Sequence, residues 1–469
     1  MLITLVLYKV VIIAVGLAAR GRNRDGADYF LAGRSLGPLV AAISASASSS
    51  SAWTLLGVSG FAYSEGVSAV WLFPACVGGF ALNWYILAPA LRRYAGAEHA
   101  LTVTEVLAGG HATAARRAIS GLGAFVVLVF MTAYIASQFQ GAGKTFSTTF
   151  ALPLWESVLI GAAVVAFYTL LGGFWAVSVT DTIQGLVMAL TAVVLPATAL
   201  RAVGGPAGLF AGMGALDQAD FLDPLGSAGL ASGAGFVIGL LGIGLGYPGQ
   251  PHVVNRFMAL RPGQPELVRA RRIAMGWAAI VYSGMILLGW SGRVLFPALG
   301  DAEVVFITVA HELCHPILAG VMLAAVLSAI MSTADSQLLV AASALTHDMP
   351  RTRLRGAPLV TQSRLVVLAL CVGATLAALW GPKEIFSPVL IAWAAMGATF
   401  GPVLLTTVLR GPMPPGRILC AMTFGLVFTI AGAWYRVHAA TSWGAAAERV
   451  LPFVVALAIC LAPVRARTH

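Results

Sequence analysis

Apolar runs near 20 residues recur along the whole chain, and this repetition constrains the fold more than any other feature. Each run is long enough to cross the ~30 Å hydrocarbon core of a bilayer as a helix that satisfies its own backbone hydrogen bonds. Only 10% of the 469 residues are charged, whereas soluble domains carry about 25%. The sequence therefore predicts an all-α integral membrane protein that has the lipid bilayer as its solvent.

Hydropathy divides the chain into predicted spans with short connections. The spans cover 2–20, 37–63, 67–90, 118–146, 153–172, 181–203, 230–250, 270–297, 317–347, 361–381, 386–410, 416–436 and 447–465, thirteen in all. Arg-rich sequence follows the first run, which is typical of a first span rather than of a cleaved signal peptide. The sequence has no GxxxxGK[ST] phosphate loop and no room for a soluble signalling domain. We therefore expect an ion gradient to supply energy, and a transporter rather than a sensor.

Arginines cluster in alternate loops, and their positions predict how the chain is oriented. They are Arg20, Arg22, Arg24 and Arg34, then Arg92, Arg93, Arg116 and Arg117, then Arg256, Arg261, Arg269, Arg271 and Arg272, then Arg351, Arg353 and Arg355, and finally Arg465 and Arg467. The intervening loops are poor in arginine or acidic, as at Asp217, Asp220, Asp223, Asp301 and Glu303. The positive-inside rule places the N-terminus outside and the C-terminus in the cytoplasm. The net charge of +10 is explained in this way, so we expect no nucleic-acid partner.

Two predicted spans contain runs that favour a break in the helix. Residues 43–53 are rich in serine, and residues 242–251 contain four glycines and two prolines. Each run lies near the start of a block of five spans, 37–203 and 230–410. Backbone groups released inside a membrane need partners, and transporters use such breaks to bind ions and solutes. The alternative is that small residues only allow close helix packing.

The ninth span carries a polar stripe. Ser328, Ser332, Asp335 and Ser336 recur at helical spacing, with Thr333 beside them. Such a stripe faces protein or water rather than lipid. The hydroxyls of Ser332 and Thr333 suit a hard monovalent cation, although hydrogen bonding to the preceding turn of the helix is an alternative.

These segments resemble the solute:sodium symporter family and, within it, the sodium/proline symporters. The matching stretches are 29–38, 177–184, 244–252, 256–258 and 331–339. The resemblance implies a LeuT-type 5+5 inverted-repeat core, with residues 1–36 before it and two helices at 416–469 after it. It also implies alternating access, sodium-coupled import of L-proline across the bacterial inner membrane, no organic cofactor, no enzymatic activity and function as a monomer.

The resemblance also assigns candidate site residues. The sodium ligands carried over are Ala47, Ser50, Ala329, Ser332 and Thr333. The candidate substrate residues are Ser49, Ser51, Trp53, Tyr134, Ile243, Tyr247 and Pro251, and the candidates for the ion path or a gate are Asp181, Asp335 and Arg34. Ile243 stands where proline symporters have tryptophan, and Ser49 where they have aspartate. These two departures leave another amino acid, pantothenate or a monocarboxylate open as the solute.

Several of these residues have a structural alternative. Asp181 either lies near the inner exit of the ion path or caps the sixth span at its N-terminus. Tyr134 and Trp53 either contact the solute or pack as ordinary aromatic residues. Arg34 either anchors the first core helix or bears on ion entry.

One motif indicates a different class of protein. The sequence His311-Glu312-Leu313-Cys314-His315 matches HExxH, in which two histidines one turn apart on a helix bind zinc. A membrane zinc metalloprotease is therefore the alternative function. The sequence offers no clear third ligand, so we expect sodium to be the only bound metal.

Overall fold

The computed structural model describes residues 2–19, 31–171, 174–216, 218, 220–226, 229–349, 358–439 and 441–463. All regular secondary structure in these ranges is helical, apart from one isolated bridge between Leu36 and Leu260. The all-α prediction is therefore confirmed. The predicted loop arginines at 20–24, 351–355 and 465–467, and Asp217, lie outside the described residues.

Twenty α-helices follow one another in the described ranges. They are α1 Leu2–Ala19, α2 Pro38–Ser49, α3 Val58–Glu65, α4 Leu72–Ala81, α5 Ala88–Ala97, α6 Val103–Ala108, α7 Thr113–Phe150, α8 Leu154–Leu171, α9 Phe174–Ala202, α10 Gly205–Gly214, α11 Leu230–Leu241, α12 Pro251–Ala259, α13 Gln264–Leu295, α14 Val305–Leu313, α15 Pro316–Thr346, α16 Leu359–Trp380, α17 Phe386–Arg410, α18 Pro415–His438, α19 Gly444–Arg449 and α20 Leu451–Leu461. Short 3₁₀ or π segments lie at Ala32–Arg34, Trp53–Gly57, Gly66–Trp71, Leu82–Leu87, Gly242–Gly249 and Ala302–Val304.

Ten helical stretches in the described ranges are long and apolar enough to cross a membrane, and three shorter apolar helices accompany them. The apolar windows of α15 and α17 are 83% and 94% buried, against 28% for α16. Hence α15 and α17 lie at the centre of the bundle, and α16 lies at its edge. Helices α6, α10 and α14 are too short to span a membrane and were not predicted.

The two predicted helix breaks are confirmed. Helix α2 ends at Ser49, and Ser50 is extended with φ −116° and ψ 90° before helical winding resumes at Ala52. After α11 the 3₁₀ segment ends at Gly249, Gln250 is extended with φ −98° and ψ 95°, and α12 follows. Both breaks are buried.

Glycines at the second break also allow close packing, so the alternative interpretation of that run is correct as well. A Cβ atom on Gly246 would lie 2.2 Å from the Trp393 ring, and one on Gly397 would lie 2.5 Å from the Gly246 Cα atom. Because these positions have no side chain, α17 packs directly on the backbone of the broken helix. This contact places α17 beside the break.

Candidate functional site

The first break meets the polar stripe of α15. Ser332 Oγ donates to the Ala47 carbonyl at 3.1 Å and to the Ala329 carbonyl at 3.3 Å, and Thr333 Oγ1 donates to the Ser48 carbonyl at 3.1 Å. Two backbone carbonyls from the end of α2 therefore face two hydroxyls of α15. We call this group the hydroxyl–carbonyl cluster. Sequence reasoning missed Ser48, which adjoins the predicted residues.

Ser50, the fifth predicted cation ligand, joins this cluster through its backbone amide. That amide donates to the Ala47 carbonyl at 3.1 Å. The Ser50 hydroxyl is buried and has no hydrogen-bond partner among the described residues. The break thus concentrates uncharged oxygen atoms inside the bundle.

A small central pocket, with a cavity volume of about 10 Å³, lies next to the cluster. Its walls bring together five of the seven predicted substrate residues, Ser49, Trp53, Tyr134, Ile243 and Tyr247. Helix α17 supplies the remaining wall with Val389, Leu390 and Trp393. The walls of the pocket are therefore mainly aromatic and aliphatic.

The other two predicted substrate residues do not line this pocket. Ser51 Oγ accepts hydrogen bonds from the Tyr134 hydroxyl at 3.2 Å and from the Trp53 amide at 3.1 Å. Pro251 is the first residue of α12, where its fixed φ suits the start of a helix. Ser51 therefore positions Tyr134, and Pro251 starts the second half of the broken helix.

Trp393 is the main pocket residue that sequence reasoning missed. Its ring lies 4.8 Å from the Tyr247 ring in an edge-to-face contact, and its Nε1 donates to the Ile243 carbonyl at 3.1 Å. Gln250 Nε2 donates to the carbonyls of Gly246 and Trp393, each at 3.0 Å. Trp393 lies in an ordinary apolar run, so no local pattern in the sequence distinguishes it.

Gln138 of α7 supports the chain just after the first break. Its Oε1 atom accepts a hydrogen bond from the Ala52 amide at 2.9 Å. This amide is one of the donors that a helix cannot satisfy at its own N-terminus. A glutamine within an apolar helix is visible in the sequence and indicates a side chain that faces the protein interior.

Asp181 forms the centre of a buried ion pair. Its Oδ2 atom accepts from Ser44 at 2.8 Å, from Ser48 at 3.1 Å and from Arg256 Nη2 at 3.0 Å. Helix α9 begins at Phe174, seven residues earlier, because the apolar pattern extends before Thr180. The interpretation of Asp181 as a helix N-cap is therefore wrong.

Arg256 links this pair to α15. Its Nη2 atom donates to Ser336 Oγ at 2.6 Å, and Ser336 Oγ lies 3.0 Å from Ser48 Oγ. Residues from both broken helices, α9 and α15 thus share one polar network directly beside the hydroxyl–carbonyl cluster. Asp335 lies in the same region and is fully buried.

Comparison with known proteins identifies this arrangement. The model of the Sodium:solute symporter family matches residues 29–413. The chain belongs to this family. It is 36% identical over 454 residues to the osmoregulated proline transporter OpuE of Bacillus subtilis, covering 94% of this chain and 90% of the relative. It is also 36% identical over 447 residues to the sodium/proline symporter of Escherichia coli, covering 92% and 87%.

Solved structures agree on the fold. A Na⁺-coupled sialic acid symporter in a substrate-bound outward-open state matches with a TM-score of 0.76 at 18% identity, covering 98% of this chain and 97% of that one. A nucleobase-cation-symport-1 family transporter in a closed conformation matches with a TM-score of 0.58 at 14% identity, covering 93% and 95%. Because the chain belongs to this family, resembles bacterial symporters and has ten helical stretches in its described ranges that can cross a membrane, it is a multi-pass protein of the bacterial inner membrane.

A cavity of about 680 Å³ opens at the end of the symporter where α3 ends and α17 begins. We call it the vestibule. Phe386 lies between the vestibule and the central pocket, because its ring stacks on Phe61 at 4.7 Å and on Trp53 at 5.5 Å. Aromatic rings therefore separate the two cavities.

Glu303 holds Phe386 in this place. Its carboxylate accepts hydrogen bonds from the backbone amides of Ile385 at 3.0 Å and Phe386 at 2.9 Å, at the N-terminus of α17. It also forms an ion pair with Lys144, which lies 2.7 Å from Asp301. Burial raises the pKa of Glu303, although the Lys144 ammonium opposes this effect.

The opposite end of the symporter is closed by polar contacts. Arg34 donates to the carbonyls of Met258 at 3.3 Å, Ala95 at 2.9 Å and Ala100 at 2.7 Å, and so anchors the chain before α2 to α5 and α12. Of the two interpretations of Arg34, these contacts favour the anchor.

Helix α6 adds further contacts at this closed end. His347 lies 3.0 Å from Glu105, and Thr102 donates to Asp348 at 2.9 Å. Burial raises the pKa of Glu105, but hydrogen bonds from His347 and the Leu101 amide, with nearby positive charge, lower it overall. Burial raises the pKa of Asp348 to about 6.

The HExxH segment does not have the geometry of a zinc site. Helix α14 ends at Leu313, Cys314 is extended, and His315 is the N-cap of α15. The two histidines therefore do not lie one turn apart on a continuous helix, and His311 lies 3.4 Å from Glu312 at an exposed position. The described residues contain no group of three or more His, Cys, Asp or Glu side chains placed to hold a metal.

Proposed function

We propose that this symporter imports L-proline together with sodium by alternating access. The observation that carries the proposal is the contact between the Ser332 and Thr333 hydroxyls and the carbonyls of Ala47 and Ser48, next to a pocket of aromatic side chains. The names of the proline-transporting relatives support the same solute.

The finer topology is part of the proposal. Gly66, with φ +63°, ends α3 and divides the apolar stretch Trp53–Ala97 between two spans, so the ten stretches become eleven. The short helix Pro38–Ser49 is the first half of one of these spans, and Leu2–Val15 and Leu154–Leu170 are two further spans. This gives thirteen spans, with an inverted repeat formed by 37–203 and 230–410. The N-terminus and the vestibule then lie outside, the C-terminus lies in the cytoplasm, and one copy of the chain suffices for transport.

The cation ligands in this proposal are the carbonyls of Ala47, Ser50 and Ala329 and the hydroxyls of Ser332 and Thr333. All are uncharged oxygens, which suit a hard monovalent cation better than a divalent one that requires carboxylates. Sodium replaces the direct hydroxyl–carbonyl hydrogen bonds and joins α2 to α15. Because this contact fixes the first break, sodium binds before the solute and prepares the pocket.

L-Proline matches the chemistry of the central pocket because its ring is apolar and its charges are compact; the cavity, about 10 Å³ here, widens to admit it during alternating access. The ring packs against Tyr247 and Trp393, while the carboxylate faces backbone amides at the break, where helix N-termini favour negative charge. Trp53 and Phe386 then close the pocket toward the vestibule. Ile243 is smaller than the tryptophan of proline symporters and leaves more room in the central pocket. This favours a solute other than proline.

One sodium per solute provides enough energy. Moving one charge through ~100 mV yields about 2.3 kcal/mol. Since ~1.4 kcal/mol corresponds to a tenfold ratio, the membrane potential alone supports roughly fortyfold accumulation. We therefore propose a one-to-one ratio.

Uptake by purified protein in vesicles tests the proposal. Labelled L-proline is supplied with sodium or with choline outside, at a fixed potential. We expect uptake only when sodium is outside, and we expect one positive charge to enter for each proline molecule taken up. Equal uptake in choline would refute sodium coupling, and sodium-driven uptake of another solute alone would refute proline.

Substitutions in α15 locate the cation. We expect Ser332→Ala and Thr333→Ala each to raise the half-saturating sodium concentration by about tenfold, because each removes one ligand. Thr429→Ala is the matched control, since its buried hydroxyl on α18 donates only to the Gly425 carbonyl. An unchanged sodium dependence in both α15 variants places the cation elsewhere.

A further inference from the structure

Lys9 lies on the inward face of α1 and takes no part in the hydroxyl–carbonyl cluster or the central pocket. Leu5 and Ile12 of α1 are buried, whereas Val6, Leu7, Val10 and Val11 are between 52% and 60% exposed. Tyr8 and Lys9 belong to the inward stripe, because positions 5, 8, 9 and 12 share one helical face. Lys9 therefore points at the transporter core and away from lipid.

Two contacts fix α1 on the polar face of α15. The Tyr8 hydroxyl is hydrogen-bonded to Ser328 Oγ, and Lys9 Nζ donates to the Met331 sulfur. A thioether is a weak acceptor. It does not compensate an ammonium for lost hydration, so Lys9 requires a negative partner nearby.

Asp335 in turn requires a positive partner. It lies one turn beyond Met331 on the same face of α15 and is fully buried. Its Oδ1 atom accepts a long hydrogen bond of 3.4 Å from Ser336, and its Oδ2 atom has no hydrogen-bond partner among the described residues. Asp181 cannot serve as that partner, because it carries the same charge and is already paired with Arg256.

The contact with Met331 places the Lys9 ammonium one helical turn from Asp335, on the same buried face of α15. With them, the buried charges of this region balance as two acids, Asp181 and Asp335, and two bases, Arg256 and Lys9. Without Lys9 the single cation Arg256 would face both carboxylates, and one negative charge would stay unbalanced, which is costly inside a membrane.

We propose that Lys9 is a tethered counter-cation for Asp335, which keeps a second cation from solution out of this carboxylate. The proposal builds on the proposed sodium coupling, because it explains why a second buried acid beside the cluster adds no second coupling ion. Helix α1, outside the two five-span blocks, thereby becomes part of the ion-binding machinery as a positioning element.

A tethered ammonium competes well with dissolved sodium. Helix α1 already holds the ammonium in place, so its pairing with Asp335 loses little translational freedom. Dissolved sodium must in addition lose its hydration shell to reach Asp335. Lys9 therefore fills the carboxylate site throughout the cycle, while the hydroxyl–carbonyl cluster exchanges its cation.

A double-mutant cycle on purified protein tests this pairing by thermal melting, first in choline and then in sodium. We expect Lys9→Met to lower the melting temperature in choline and to show a larger rise with sodium than the unmodified protein, because sodium now reaches Asp335. We expect Asp335→Asn alone to lower it too, since Lys9 loses its partner. The double variant should recover most of the loss and respond to sodium as the unmodified protein does.

The control is Tyr8→Phe, which removes the hydrogen bond to Ser328 without changing charge. Asp335→Asn should not compensate this variant. The proposal is overturned if Lys9→Met melts like the unmodified protein, or if the two substitutions have additive effects. Melting in choline needs neither sodium nor solute, so this result is independent of whether L-proline is the substrate.

Discussion

The two broken helices satisfy their released carbonyls with different chemical groups. At the first break the partners are the Ser332 and Thr333 hydroxyls. At the second break they include the Gln250 amide, which bonds the Gly246 carbonyl, and the Trp393 indole, which bonds the Ile243 carbonyl. A hydroxyl can rotate and present a lone pair to a cation, whereas an indole N–H is only a donor.

In the proposed mechanism this difference gives the two breaks separate roles. The first can exchange a hydrogen bond for a cation without leaving any oxygen unsatisfied. The second keeps its hydrogen bonds and forms a fixed wall of the pocket. One break is therefore suited to the ion and the other to the solute, although both interrupt a membrane helix in the same way.

The largest effect is expected at the residue that joins the two breaks. Arg256 of α12 contacts Asp181, Ser44 of α2 and Ser336. We expect Arg256→Met to destabilise the protein by about 3–5 kcal/mol, because it leaves Asp181 buried without its counter-charge. The yield and melting temperature of folded protein measure this loss.

Arg93→Met is the control for Arg256→Met, because Arg93 is exposed. Adding Asp181→Asn to Arg256→Met should restore part of the yield. If Arg256→Met alone folds as well as the control, Arg256 does not couple the two breaks.

A smaller effect is expected at the support of the first break. Gln138→Met leaves the buried Ala52 amide without its acceptor, which costs about 1–3 kcal/mol. The melting temperature should fall accordingly. Ser137→Ala is the neighbouring control, since Ser137 donates only within its own helix. Equal melting temperatures for the two variants would show that the helical segment starting at Ala52 needs no support from α7.

Sequence reasoning located both breaks and the polar stripe, because Ser, Gly and Pro interrupt apolar periodicity visibly. It placed Ser332 and Thr333 correctly next to Ala47, although only the structure shows Ser48 in the same cluster. It missed Trp393 and Glu303, because their roles depend on contacts with residues far away in the chain. It misplaced the start of α9, because Ser178 and Thr180 resemble a helix boundary while their hydroxyls bond to the preceding turn.

A selective effect on the solute is expected at the second break. Trp393→Phe keeps an aromatic ring but loses the hydrogen bond to the Ile243 carbonyl. We expect the KM for proline to rise by about fivefold to tenfold, equivalent to ~1–1.4 kcal/mol, with the half-saturating sodium concentration unchanged. Trp434→Phe, on the exposed face of α18, should change neither value. A shift in sodium dependence as large as the shift in KM would contradict the division of tasks.

The smallest effect is expected at Ser49, which stands at the end of α2 between the cluster and the pocket. Its hydroxyl donates to the Ser46 carbonyl at 2.8 Å, within its own helix, and so does not reach toward the α15 hydroxyls. Ser49→Ala should therefore change both the KM for proline and the half-saturating sodium concentration by less than about twofold. Ser332→Ala, measured in the same vesicles, provides the contrast. Suppose that Ser49→Ala raised the half-saturating sodium concentration as much as Ser332→Ala. The first break would then bind its cation through side chains of α2, and its released carbonyls would not explain why it differs from the second break.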